Sequence, residues 1–235
     1  MNFNSIKMFF LVLVFIGLSA FSIVKNGNRN VNLTNVNLIE TNLKFTSEEL
    51  VNKLLKQSDS NNSSLQKRNL NLNLLENLIE KDSFIKSAEI FLYLDGNVGI
   101  KIVEKDPVFR VLEDNYYIDS SGNTMPVSSI FSEETPLIIS SVMKRDLNNL
   151  GALGVFLEND VFLNDHISGL EIYNDSLIFH VKGHDYKINM KGFKNHKERF
   201  TNYKAFYKST YNDSIFSFIK SINLNFNNQV VVQKK

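Results

Sequence analysis

The sequence predicts an α+β protein: an N-terminal transmembrane helix, a β-α-α-β-β module, and directly after it a mostly antiparallel β domain with flanking helices. Three observations carry this reading. Residues 8–24 form an apolar run interrupted only by Gly17, Ser19, Ala20 and Ser22. Beyond it the hydrophobic period changes from 2 to 3.6 and back to 2, the signature of a strand, helices and then a hairpin. Finally, one β-run closes on Glu104, Lys105, Asp106 and Pro107 and the next begins at once, which leaves almost no linker between two modules.

The apolar run reaches roughly 25 Å as a helix, near the short end of what spans a bilayer. Residues 1–7 make a short cytoplasmic tail before it. A cleaved signal peptide is the rival reading, with small residues at Gly17 and Ser19 for a processing enzyme. The apolar character continues through Phe21, Ile23 and Val24 past that cut and favours an uncleaved anchor. Lys25 and Arg29 outweigh Lys7, so charge sets the orientation poorly. The short tail favours a type II topology with the bulk of the chain outside. Residues 25–35, polar and Asn-rich, read as a tether.

Residues 36–106 form the first module. Val36, Leu38 and the segment to Leu43 alternate like an edge strand. Thr46 as N-cap with Glu49 three residues on suggests a capping box, opening a helix with Leu50, Val51, Leu54 and Leu55 on one face. Residues 58–67 are a polar loop. Leu72, Leu75, Leu78 and Ile79 then recur at helical spacing up to Lys81. Residues 87–94 and 97–104 alternate around Asp95-Gly96, the turn dipeptide of a two-residue hairpin.

Residues 107–233 form the second module. Short strands fall at 108–112, 116–119 and 137–140, with Asp119-x-x-Gly122 as a turn and Met125-Pro126 as an extended exit. Residues 146–161 read as one helix with Leu147, Leu150, Leu157 and Val161 on one face, weakened by Gly151 and Gly154. A meander follows: 170–173 and 177–181 around Asn174-Asp175, then 186–190. A basic, aromatic helix from Phe193 to about Tyr211 precedes terminal strands at 221–226 and 229–232.

Composition narrows the function. Apolar residues make up 43% of 235, enough for an anchor and one or two small cores. Net charge is +1 with both signs interspersed, which argues against a nucleic-acid surface. There is no cysteine, so disulfides and thiolate chemistry are excluded. His180 and His184 flank Gly183, but i, i+4 spacing pairs two metal ligands on a helix, and this stretch reads as a hairpin. Glu133-Glu134, and Glu104 with Asp106, lack the across-cleft geometry of a general acid pair. No phosphate loop, G-x-S-x-G elbow or H-E-x-x-H occurs. Lys191, Lys194, Lys197, Arg199, Lys204 and Lys208 read as the solvated face of the last long helix. No catalytic, cofactor or metal residue is assigned, and no small-molecule substrate is expected.

The strand, helix, helix, strand, strand order ending in Val103-Glu104-Lys105-Asp106-Pro107 resembles a POTRA domain. The junction itself, with Glu104, Pro107, Arg110, Asp119, Gly122 and Pro126, resembles that of the bacterial cell-division family FtsQ/DivIB. Ile222, Asn223, Leu224, Asn225, Phe226, Gln229, Val230 and Val232 resemble the C-terminal strands of the same family, with Asn223 and Asn225 where Asp and Arg are usual. The resemblance implies a single-pass protein of the cytoplasmic membrane, facing the periplasm at the septum. It also implies a non-enzymatic scaffold whose C-terminal strands bind the division proteins FtsB and FtsL by strand addition and help position septal peptidoglycan synthesis. On this reading Ile222, Leu224 and Phe226 lie near an unclosed sheet edge and either meet the partner or face the core. The other class of function left open is an envelope or secreted POTRA-like binding protein serving export or outer-membrane assembly.

Overall fold

The computed structural model describes residues 3–39, 43–58, 65–210, 214–226 and 229–235, and divides the chain into two compact units, residues 1–104 and 105–235. Each unit has its own hydrophobic core.

In the first unit, helix α1 (Phe3–Gly27) contains a span from Ile6 to Gly27 with mean hydropathy 2.3, long and apolar enough to cross a membrane. Strand β1 (Asn30–Leu38) begins only three residues after the helix, so most of the expected tether is strand. The remaining elements are α2 (Glu48–Ser58), β2 (Leu65–Gln66), α3 (Leu72–Ile79), β3 (Ile85–Leu92) and β4 (Asn97–Glu104). They give a four-stranded sheet in the order β2-β1-β4-β3, with β1 parallel to β4 and β3 antiparallel to it. β1 is therefore interior rather than an edge, because the short β2 covers its other side. The end of the expected first strand, at residues 40–42, and most of the polar loop at 59–64 lie outside the described residues.

The helices lie on the sheet through the side chains the periodicity selects. Val51, Leu55, Leu75 and Ile79 are buried with Ala88, Ile90, Val98, Ile100 and Ile102. The cap of α2 is Ser47, whose Oγ accepts from Leu50 N at 3.3 Å, rather than Thr46. Thr46 instead donates its N–H to Glu104. The hairpin between β3 and β4 is also longer than a two-residue turn. Tyr93 N donates to Asn97 O at 2.9 Å, and Asp95 Oδ1 accepts from Asn97 N at 3.0 Å, so residues 93–96 form the connection.

The second unit carries β5 (Pro107–Val111), β6 (Tyr116–Asp119), β7 (Thr124–Pro126), β8 (Leu137–Ile138), α4 (Leu147–Glu158), α5 (Val161–His166), β9 (Ile167–Tyr173), β10 (Ser176–Val181), β11 (Lys187–Lys191), α6 (His196–Thr210), β12 (Ile219–Asn223) and β13 (Val231–Lys234). These strands form one nine-stranded sheet in the order β13-β12-β11-β10-β9-β8-β5-β6-β7. Antiparallel ladders predominate, and β9, β10 and β11 form the expected meander; it sits in a mixed sheet, because β5–β8, β8–β9 and β11–β12 are parallel. Parallel neighbours need a crossover, and α4 with α5, and then α6, supply two of them. The single row Val111, Ile138, Leu170, Phe179, Ile188 and Ile222 runs across six strands. All six side chains are fully buried, which fixes the core face of the sheet.

The expected helix at 146–161 is two helices. Asp160 caps α5 by accepting from Leu163 N at 3.1 Å, which breaks the run at Asn159-Asp160, and Val161 is exposed instead of facing the core. Gly151 and Gly154 are contact points. A Cβ on Gly151 would sit 2.6 Å from Gly122 N, and one on Gly154 2.4 Å from Val108 Cγ2. The helix packs on β5 and the turn after β6 at a distance that no side chain permits.

Candidate functional site

The C-terminal strands are assembled by three local devices. A 3-10 turn at Ser214–Phe218 feeds β12, and Phe216 stacks on Tyr186 with ring centroids 5.7 Å apart. Leu224 N donates to Asn189 O at 2.9 Å, which extends the seam between β12 and β11. Beyond β12, Asn223 Oδ1 accepts from Asn225 N at 2.9 Å, and Asn225 Oδ1 accepts from Lys191 N at 2.5 Å. Asn223 and Asn225 thus bind the chain to itself and close the end of β11.

The residues singled out in the sequence separate into two groups. Ile222 and Leu224 are fully buried and belong to the core, so the alternation places them inward. β12 is flanked by β11 on one side and β13 on the other, and is not the sheet edge. The edge is β13, two residues further along than the expected strand at 229–232. Phe226 is half exposed, Gln229 exposed, and Val230 and Val232 pack partly against the core. Asn227 and Asn228 lie outside the described residues. Val231, Gln233 and Lys234 belong to the edge strand as well; the alternation Val230, Val232 marks the strand, but nothing in the sequence marks its last residues.

The direction of the edge's backbone groups follows from two bonds. Lys235 N donates to Phe218 O at 2.9 Å, and Val231 and Gln233 pair with Asn223 and Ser221. Alternation along an antiparallel ladder then turns the N–H groups of Val232 and Lys234 away from β12. Among the described residues no side chain caps them.

The junction residues do local structural work. Both Glu104 carboxylate oxygens accept backbone N–H groups, from Lys44 at 2.7 Å, Phe45 at 2.9 Å and Thr46 at 2.6 Å, which fastens the segment before α2 to β4. Pro107 opens β5, where a missing N–H is tolerated. Buried Asp119 accepts from Ser121 N at 2.9 Å and Asn123 N at 2.7 Å. Gly122 completes that turn at φ +82°, a conformation L side chains resist. The Arg110 guanidinium lies 5.8 Å from the Tyr117 ring centroid and donates to Asn115 Oδ1 at 3.1 Å. Pro126 ends β7 opposite Tyr116.

His180 and His184, which flank Gly183, take different partners. His180 Nε2 is 2.6 Å from Glu171 Oε1 on the sheet's open face, where Lys187 Nζ also donates to that oxygen at 3.0 Å. Lys187, with His180 assisting, holds the Glu171 carboxyl below its ordinary range against the opposing effect of burial. His184 instead meets Tyr186, with centroids 5.1 Å apart. Among the described residues no group of three His, Cys, Asp or Glu could hold a metal ion.

A buried polar network has no counterpart in the sequence reading. His166 Nε2 lies 2.5 Å from Tyr203 Oη, and Tyr203 Oη lies 2.7 Å from Tyr186 Oη. It ties α5, α6 and the start of β11 together. Burial, and then the neighbouring His184, depress the His166 pKa to about 4, while burial pushes that of Tyr186 up to about 12. Tyr203 stood out only as one of an aromatic series, and His166 had no signal.

An apolar N-terminal helix, a module of two helices on a four-stranded sheet, and a second, sheet-built module define the class: a two-module chain with a candidate membrane span. Residues 32–103 match the POTRA-like domain, and residues 106–233, more than half of the chain, match the model described as FtsQ/DivIB, C-terminal related. The chain belongs to the FtsQ/DivIB family of cell-division proteins. Among solved structures, it is similar to the major extracytoplasmic domain of the trans isomer of the bacterial cell division protein DivIB from Geobacillus stearothermophilus. That likeness has 11% identity and a TM-score of 0.36, over 47% of this chain and 98% of that one. No curated protein matches the chain.

Proposed function

We propose that the chain is a non-enzymatic scaffold of the divisome that binds the external segments of FtsB and FtsL by strand addition to β13. α1 holds it in the cytoplasmic membrane as a type II single-pass protein, with the bulk of the chain on the periplasmic side at the septum. The observation that carries the reading is the outer strand of the nine-stranded sheet, whose Val232 and Lys234 N–H groups point outward with no cap among the described residues. Backbone bonds at such an edge supply affinity, and the side chains beside it choose the partner. Val231 and Gln233 flank the added strand on one face, and Val230 and Val232 on the other. Family membership supports the cell-division setting and selects the partners to be tested.

The test is titration of the full-length chain in detergent micelles with the external parts of FtsB and FtsL from the same organism, beside Val232→Pro. The proline removes an outward donor and leaves the Val231 and Gln233 bonds to β12 in place. Binding weakened by about tenfold or more, with the thermal transition of the second unit unchanged, is the expected outcome. Equal binding by a folded Val232→Pro protein moves the contact away from β13. No binding by the unmodified chain removes the assignment of these partners.

A further inference from the structure

A sheet extends only where an edge strand offers free N–H and C=O groups. The two sheets end in β2, β3, β7 and β13. β2 has two residues, β7 three with a terminal proline, and β13 four. β3, with eight residues, is much the longest edge; it exposes Phe91, and Val103 of β4 is exposed opposite Ser87 of β3. A long edge with apolar residues next to it is the one most in need of protection.

Two donors at the middle of the outward side of β3 are already occupied. Because Tyr93 N donates to Asn97 O, alternation turns the N–H groups of Glu89 and Phe91 toward β4 and those of Ala88 and Ile90 away from it. Ile90 N donates to Glu76 Oε1 at 2.8 Å, and Ala88 N donates to Glu80 Oε1 at 3.0 Å. The two spacings match: four residues of helix rise about 6 Å, and two residues of strand about 6.6 Å. Glu76 on α3 and Glu80 at its C-cap, one turn apart on the side beside β3, therefore meet successive outward donors.

We propose that Glu76 and Glu80 form a two-carboxylate plug that closes β3 against pairing with the same strand of a second copy of this chain. The carboxylates hold charge-assisted bonds to the donors an added strand would need, and they stand where its carbonyl oxygens would have to lie. The plug is independent of what β13 binds. It works through two acceptor oxygens, so glutamine at both positions preserves it and alanine does not.

The chain lacks cysteine, so a single Glu89→Cys on the outer face of β3 takes a spin label at one known place. Three full-length proteins in detergent micelles are compared by sedimentation and by dipolar distance: the label alone, the label with Glu76→Ala and Glu80→Ala, and the label with Glu76→Gln and Glu80→Gln. β3 is about 27 Å long, so paired copies bring two labels close in any register. Self-association with a short label distance, at least about tenfold tighter for the alanine protein than for the other two, is expected. A folded alanine protein that stays as monomeric as the parent overturns the proposal, as does a glutamine protein that associates like the alanine one. Hydrogen exchange on the unmodified chain decides it without any variant. Ala88 and Ile90 amides as protected as those of Glu89 and Phe91 support the plug, and fast exchange at both excludes it.

Discussion

His166 shows how one buried side chain sets a pH dependence. Its pKa is near 4 in the folded chain, because burial and the adjacent His184 oppose the cation, against about 6.5 when unfolded. The folded-state value is the lower one, so the unfolded chain takes up the proton first. The contribution of His166 is complete above pH 6.5, declines as the pH falls toward 4, and is on the order of 3 kcal/mol over that window. Denaturant midpoints of the second unit measured at pH 7 and 4.5 are expected to show this fall, and His166→Phe to flatten it. Tyr203 keeps Tyr186 as its partner in that variant, at 2.7 Å. The same scale explains Asn225. Asn225, one of the C-terminal residues expected to bind a partner, accepts from Lys191 N, so Asn225→Ala is expected to cost about 1 kcal/mol of stability, read by thermal unfolding. Neither role was legible. A buried histidine has no periodicity, and a side chain bonded to backbone 34 residues away is visible only in three dimensions.

At the scale of elements, hydrophobic period located nearly all of the strands and helices, and misjudged their ends and neighbours. The Asp119 turn was legible because its chemistry is local: an Asx acceptor, then a glycine with positive φ. The parallel ladders were not, since period 2 does not state which strand lies beside which. Gly151 and Gly154 read as defects of a helix and are the means by which α4 comes close to β5. Alanine ordinarily stabilises a helix by up to about 1 kcal/mol over glycine. Here Gly151→Ala is expected to destabilise by about 2 kcal/mol or more, because its Cβ meets Gly122 backbone that cannot rotate aside. A rise in melting temperature would contradict the packing account. The edge strand was misplaced for a related reason. Ile222 and Leu224 alternate as an edge strand's core face would, and only the pairing of β12 on both sides shows that the edge is one strand further on.

For the whole molecule, the two separate cores imply that residues 105–235 fold when expressed alone, with a cooperative transition of their own. Calorimetry of that segment checks it, and loss of the transition would show that the first unit is needed. Mass spectrometry of the native N-terminus tests the anchor: retention of residues 1–19 is expected, whereas a start near Ala20 or Phe21 would mean cleavage. The order of the large sheet has a further consequence. Every neighbouring pair of strands is consecutive in the chain except β5 with β8, so the sheet can be laid down in the direction of synthesis, each strand docking on the one before it. From β8 onward each strand finds the neighbour it pairs with already made. β13 is the growing end of that series. A partner's strand arriving there would take the next place in the line, by the same step that had already added each strand from β9 onward.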